Sequence, residues 1–255
     1  MYVQKVSLEI KSDAAIDEVV DAFIVLLNFY RGSGQKQGKI ESQYVSGNTV
    51  TAYPFTLECD SLDKSHNNFY VNRQIEKLET ICQSDVQITT IGKSHDDYTG
   101  PCTCHKPEFY ILKTDYISID SPVTCGSCNH RVPLYRLPVY EDHGYMPILS
   151  WETNYVSCDS LQMNCEVGEQ WATRQMQDVR SQLSKQGITI CHTIEQLTAI
   201  PTYYYLYNYR RRPNKVTQNH CPNCKQPWSL KKRLHRFYDF KCDFCRLIST
   251  VSLNT

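Results

Sequence analysis

The sequence predicts an α+β protein in three parts. These are a ferredoxin-like βαββαβ domain over residues 1–99, a central mixed helical region with a zinc knuckle over 100–200, and a C-terminal zinc ribbon over 201–255. Three observations carry this reading. Hydrophobic periods of two and of about 3.6 alternate through the first part. Cysteines at metal-ligand spacing open the second and frame the third. The third part is also strongly basic in a chain of zero net charge.

Residues 2–10 alternate from Val6 and read as a strand. From Ala14 to Tyr30, Ile16, Val19, Val20, Phe23, Leu26, Leu27 and Tyr30 recur at three- and four-residue steps, an amphipathic helix that Ser12 or Asp13 can cap and Gly32-Ser33-Gly34 ends. Two strands follow at 39–46 and 49–57 with Gly47-Asn48 as their turn. Asn68–Cys82 reads as a second helix and Val86–Ile91 as a fourth strand. This order is that of a ferredoxin-like sandwich. Gly34-Gln35-Lys36-Gln37-Gly38-Lys39 reads as a solvated connection.

Cys102-Thr-Cys104 and Cys125-Gly-Ser-Cys128 flank a strand expected over Phe109–Ile119. Four thiolates suit one tetrahedral ion, so Cys102, Cys104, Cys125 and Cys128 form a candidate zinc site, with His105 or His130 as substitute ligands. Residues 132–148, punctuated by Pro133, Pro138 and Pro147, suit an extended surface path. Helices are expected over 149–164 and 166–185, the latter closed by Gly187, and a short one over Ile194–Ala199. Cys158, Cys165 and Cys191 stand apart and read as buried thiols.

Cys221-Pro-Asn-Cys224 and Cys242-Asp-Phe-Cys245 have the spacing of a four-thiolate zinc ribbon. Pro fixes φ and Asn tolerates turns, which suits the first of these pairs to a tight knuckle. Residues 201–255 carry 11 Lys and Arg against Asp239 and Asp243, a surplus of +9 that −9 over the rest of the chain balances. Arg210, Arg211, Arg212, Lys231, Lys232, Arg233 and Arg236 are candidate phosphate contacts, and Trp228 or the tyrosines of Tyr203–Tyr209 are candidate base-stacking groups. The same tyrosines can instead pack the ribbon onto the body, with the arginines as a solvated edge.

Thirteen cysteines, an odd number in metal-type spacings, point to a reduced, cytoplasmic setting. Met1–Val6 lacks the basic head and apolar middle of a signal peptide. No apolar run of about 18 residues is present to span a membrane.

Cys125-Gly-Ser-Cys128, Val132-Pro-Leu-Tyr-Arg-Leu-Pro138, Ser150-Trp-Glu152, Pro201-Thr-Tyr-Tyr-Tyr-Leu206, Cys221-Pro-Asn-Cys224 and Phe240-Lys-Cys-Asp-Phe-Cys-Arg-Leu247 together resemble the bacterial zinc-ribbon-containing, predicted nucleic-acid-binding proteins. The resemblance implies a bacterial, cytoplasmic, non-enzymatic protein.

Three function classes follow. The basic aromatic ribbon favours nucleic-acid binding. The acidic remainder favours a protein partner, for example a toxin whose basic cleft an immunity protein would occlude. An enzyme is the third class. Against it, the chain has no His-Glu-x-x-His, phosphate loop, Gly-x-Ser-x-Gly or dinucleotide fingerprint, and four thiolates leave zinc no open position. No small-molecule substrate is expected.

Overall fold

The computed structural model describes residues 1–94, 100–139, 144–208 and 219–251. The chain forms two compact units: Met1–Pro101 with Ile119–Ser121 and Pro133–Met146, and Cys102–Ser118 with Pro122–Val132 and Pro147–Thr255.

In the first unit β1 (Tyr2–Glu9), α1 (Ile16–Gly32), β2 (Gln37–Ser46), β3 (Thr49–Thr56), α2 (Phe69–Cys82) and β4 (Gln87–Lys93) follow the order read from the periodicity. The strands form one sheet in the order β2-β3-β1-β4, every pair antiparallel. The two-residue turn between β2 and β3 works because Gly47 takes φ 56°. Val6 pairs with Ala52 and Leu8 with Val50, so one face of β1 and β3 is apolar. Onto it pack Val19, Phe23, Leu26 and Leu27 of α1 and Val71, Ile75 and Leu78 of α2. Asn68 caps α2 by accepting from the Val71 amide at 3.0 Å. At α1 the cap position is Ala15, with no side-chain hydrogen bond. Ser12 instead accepts from the Ala14 amide and donates to the Ile81 carbonyl, tying the start of α1 to the end of α2.

The connection over residues 34–39, which the sequence suggests is solvated, is exposed only at Lys39 and buried from Gly34 to Gln37. Gln35, Lys36 and Gln37 are at most 7% exposed. Gln35 donates to the Ser61 carbonyl at 2.9 Å and to Asn67 at 3.0 Å, and Lys36 pairs with Glu41. Burial lowers the Lys36 pKa against the opposing pull of Glu41. Part of the path expected over 132–148 is also buried: Val132, Pro133, Leu134 and Leu137 are inside, while Arg136, Pro138 and Val139 are exposed. Gly34, at φ 77°, lies so close to Leu134 that a Cβ would stand 2.5 Å from the Leu134 Cβ. Tyr135 donates to Glu58 at 2.5 Å, and Arg136 pairs with the same carboxylate.

In the second unit β5 (Tyr110–Leu112) and β6 (Val123–Cys125) are followed by α3 (Met146–Asn164), α4 (Glu169–Gln177) and α5 (Gln182–Thr198). Then come β7 (Thr202–Tyr205), β8 (Ser229–Leu234), β9 (Tyr238–Cys242) and β10 (Leu247–Ser249). The six strands make one sheet, β6-β5-β7-β10-β9-β8, in which β7 runs parallel to both β5 and β10. Strands from both sides of residue 200, where the sequence suggests a boundary, therefore share a sheet.

The helices differ from the expected pattern. The helix expected over 166–185 breaks between Gln177 and Gln182, because Asp178 accepts from the Arg180 amide and Ser181 caps a new helix on the Ser184 amide. Gly187 lies inside α5 rather than ending a helix, and Ile194–Ala199 belongs almost wholly to that same helix. A Cβ at Gly187 would overlap the Tyr204 ring and stand 2.8 Å from Trp151 Nε1. The strand expected over Phe109–Ile119 shortens to three residues, and a turn closed by Ser118 N to Asp115 O follows.

Candidate metal centres

Each set of four cysteines comes together. The sulfurs of Cys102, Cys104, Cys125 and Cys128 lie within 4.8 Å of one another, as do those of Cys221, Cys224, Cys242 and Cys245. An ion bound tetrahedrally at about 2.3 Å sets its sulfurs about 3.8 Å apart. The Cys224 and Cys242 sulfurs stand at 3.6 Å. In both sets two sulfurs come from buried and two from half-buried residues. Neither His105 nor His130 belongs to a set.

Local hydrogen bonding explains how the chain makes these corners. In the first set the Cys125 amide donates to the His130 carbonyl and the Asn129 amide to the Cys125 carbonyl, both at 2.8 Å. In the second set Cys221 donates to Gln226 and Lys225 to Cys221, the same offsets, at 2.8 and 2.9 Å. Isolated bridges flank the two turns at matching positions, Thr124 with Arg131 and His220 with Pro227. The residue after each Cys-x-x-Cys pair is left-handed: Asn129 at φ 63°, Lys225 at 63° and Arg246 at 51°. Lys and Arg rarely adopt this region, so the turns are held there by their hydrogen bonds. The amides of Cys104 and Cys245 each donate to a sulfur, Cys102 and Cys242 respectively, at 3.4 Å, and Asn223 Nδ2 reaches Cys245 at 3.4 Å.

Burial pushes the Cys102 and Cys242 thiols up. The Gln226 amide draws Cys224 down to about 7. Buried neighbouring thiols resist ionising together, and a bound cation removes that cost.

The second set is fastened into its sheet by contacts that no local pattern in the sequence reveals. Arg246, next to Cys245, forms a two-pronged pair with Glu195 of α5, at 2.7 and 2.8 Å. Lys241 of β9 sits 5.0 Å from the Phe109 ring centre and 4.5 Å from that of Tyr203. In the reverse direction Lys113 sits 3.9 Å from the Phe237 ring centre and 5.1 Å from that of Tyr205. The partners are far apart in sequence, so neither periodicity nor spacing could pair them.

The Arg246 guanidinium holds the Glu195 carboxyl below its ordinary pKa. Each of these side chains keeps 26% exposure, so the pair is worth about 1–2 kcal/mol. A depressed carboxyl contributes stability that is complete above its unfolded pKa, about 4.3, and is lost as the pH falls through its folded value. Glu195→Gln should therefore lower the urea midpoint by the same amount at pH 6 and pH 8. A midpoint matching the wild type at both values would show that the pair contributes nothing.

Among the described aromatic candidates, Trp228, Tyr203, Tyr204 and Tyr205 are buried and so not available for stacking, while Tyr207 is half-buried. Trp228 is 7% exposed and lies on Phe240 at 5.1 Å between ring centres. Tyr203 and Tyr205 are buried with Phe109, Ile111, Tyr238 and Ile248, and Tyr204 is buried on the other face against Trp151. A base-stacking role for Trp228 is thereby corrected, and of the two readings of the tyrosines the structure shows packing for Tyr203, Tyr204 and Tyr205, which lie in the core of the six-stranded sheet's unit. The basic candidates fare differently. Lys231, Lys232 and Arg233 are exposed on β8, the edge strand, and Arg236 is exposed at the turn after it. Arg233 pairs with Asp239 at 2.6 Å. Arg210, Arg211 and Arg212 lie outside the described residues, as does Tyr209. Among the described residues no helix is long and apolar enough to cross a membrane.

Comparison with known proteins gives three family matches, each described as a domain of unknown function: DUF8589 over residues 1–92, DUF2310 over 104–207 and DUF8594 over 210–255. No description among them names a zinc ribbon or nucleic acid. No solved structure matches the chain. Two Haemophilus influenzae proteins do, both called uncharacterized. One is 35% identical over 162 residues, covering 62% of this chain and 80% of the relative. The other is 34% identical over 200 residues, covering 77% of this chain and 76% of the relative. With identity at that level over most of both chains, and a DUF2310 domain at its centre, the protein belongs to the family of these Haemophilus influenzae proteins.

Proposed function

We propose that the protein is a non-enzymatic, cytoplasmic, zinc-stabilised protein that binds nucleic acid through the exposed basic edge of its C-terminal ribbon. Zinc suits both sulfur sets, since four thiolates gathered within 4.8 Å of one another are the donors that a structural site uses. Cys102, Cys104, Cys125 and Cys128 would hold one ion, and Cys221, Cys224, Cys242 and Cys245 the other. The ions would contribute folding energy. All four coordination positions are then protein sulfur, which argues against bound-water chemistry. The N-terminal sheet, read from its far edge as β4-β1-β3-β2 with α1 and α2 on one face, supports a ferredoxin-like assignment. The three family matches also support a division of the chain into three modules, although the last two share a sheet.

The observation that carries the nucleic-acid reading is the run Lys231, Lys232, Arg233 on an exposed edge strand, continued by Arg236. Edge lysines also discourage strand pairing between copies, which keeps this edge open to a ligand. The test is fluorescence anisotropy with a labelled single-stranded oligonucleotide at several salt concentrations. Replacing Lys231, Lys232 and Arg233 by Ala should weaken binding and reduce the salt slope by about two to three. Binding undiminished by the triple change would overturn the assignment. The alternative, a protein partner such as a basic toxin, is favoured by the exposed acids Asp13, Asp17, Glu18 and Asp21 at the start of α1. Its mark would be a partner retained at fixed stoichiometry after nuclease treatment.

A further inference from the structure

We propose that the two four-cysteine sites load metal and fold as one cooperative unit, coupled through His235 and a stack of side chains running from Gly126 to Asp243. This rests on the zinc reading above and extends it.

The first link is the turn between β8 and β9. His235 and Arg236 stand at φ 52° and 60°, and the Phe237 amide closes the turn on the Leu234 carbonyl at 3.0 Å. Consecutive left-handed residues there favour Asn and Gly, so His and Arg are held at a local cost. The turn brings His235 Nε2 to 2.6 Å from the carbonyl of Gly126. A carbonyl only accepts, so Nε2 carries the proton. Gly126 lies between Cys125 and Cys128. The ribbon's turn thus donates a hydrogen bond into the first metal corner.

The second link runs through side chains. The Gly126 amide donates to the Phe109 carbonyl at 2.7 Å, and the Phe109 ring occupies the space that a Cβ on Gly126 would need. Phe109 meets Tyr203 edge-on at 5.3 Å, with Lys241 over both rings. Tyr203 donates to Asp243 at 2.5 Å, and Lys241 pairs with Asp243 at 2.7 Å. Asp243 lies between Cys242 and Cys245. The residues inside two metal corners are therefore the two ends of one run of contacts. The backbone repeats the connection, since β7 pairs with β5 from the first site and with β10 from the second.

When the second corner lacks its ion, Asp243, Lys241 and the His235 turn lose their fixed positions, and Gly126 and Phe109 lose their partners. Loss of the first ion acts back along the same contacts. Coupling between two binding events is reciprocal, and a run of this kind is worth about 5–150-fold in affinity.

The experiment measures zinc per chain, and zinc release to a chromogenic chelator, on the full chain. Wild type should hold two ions and release them in one phase. Cys125→Ser and Cys242→Ser should each lose both ions, or hold the remaining one about 5–150-fold more weakly. His235→Ala touches no ligand; it should keep both ions and release them in two phases. A wild-type chain without stoichiometric zinc overturns the metal reading, and the coupling with it. A wild-type chain with two ions whose Cys242→Ser variant keeps one at unchanged affinity overturns the coupling alone. Should both serine variants prove insoluble, His235→Ala decides, and a release profile identical to wild type overturns the coupling.

Discussion

Removal of metal by a strong chelator at neutral pH should unfold β8–β10 and both cysteine corners while the N-terminal sheet and its two helices persist. The strands β8–β10 around the second cysteine set are short, and β8 is largely exposed while β10 has only three residues. Small modules of this size depend on a metal or disulfides for a stable fold. Apparent binding energies of about 10–16 kcal/mol per structural zinc are folding energy in such modules. The first unit, by contrast, has its own apolar core between β1, β3, α1 and α2. Circular dichroism should therefore show a partial loss, and limited proteolysis should cut within 219–251 before it cuts within 2–93. The sign of the pH effect is fixed by the ligands. Thiols ordinarily titrate near about 8.5 and must lose protons to bind, so metal affinity should rise from pH 6 to pH 8. A spectrum and cleavage pattern unchanged by chelation would mean that the sulfurs are brought together by packing alone.

The N-terminal unit was legible because its signals are local. Val6 and Leu8 alternate, α1 repeats its apolar residues at helical steps, and Gly47-Asn48 marks its own turn. The cysteine sets were legible because ligand spacing is a short-range code, down to the tight Cys102-x-Cys104 pair. What escaped were burials decided by distant parts of the chain. Gln35-Lys36-Gln37 reads as solvated until Ser61, Asn67 and Glu41 are brought to it, and Gly34 beside it becomes a point of close approach to Leu134. The tyrosines at 203–205 read as an alternating strand with a face to spare. In the structure β7 lies between two parallel neighbours and is buried on both faces. A strand in that position loses the alternation by which exposure is read. Aromatic residues beside arginines read equally as a stacking surface or as packing, and the cations that meet the buried rings, Lys113, Lys241 and Arg246, come from outside the 210–212 run.

Gly187→Ala should destabilise the protein, the reverse of what helix propensity predicts. Alanine in a helix interior is favoured over glycine by about 1 kcal/mol. At this position the α5 backbone approaches β7 so closely that the new methyl would overlap the Tyr204 ring, with Trp151 Nε1 2.8 Å away. Both rings are fully buried and packed edge-on to each other at 6.0 Å, so neither can swing into solvent. Overpacking of this kind costs about 1–3 kcal/mol, enough to exceed the propensity gain. The larger effect belongs to Trp151→Ala. Its indole fills the space among α3, α5 and β7, and truncation should cost about 3–5 kcal/mol. The two changes should not add. With the indole gone, Tyr204 can shift into the vacated volume, and the Gly187→Ala penalty should shrink in the Trp151→Ala background. Urea midpoints of the two single variants and the double variant, measured with zinc held in excess, give this coupling directly. Were Gly187→Ala to raise the midpoint, the close approach of α5 to β7 would be refuted, and with it the reason that a glycine interrupts an otherwise regular helix.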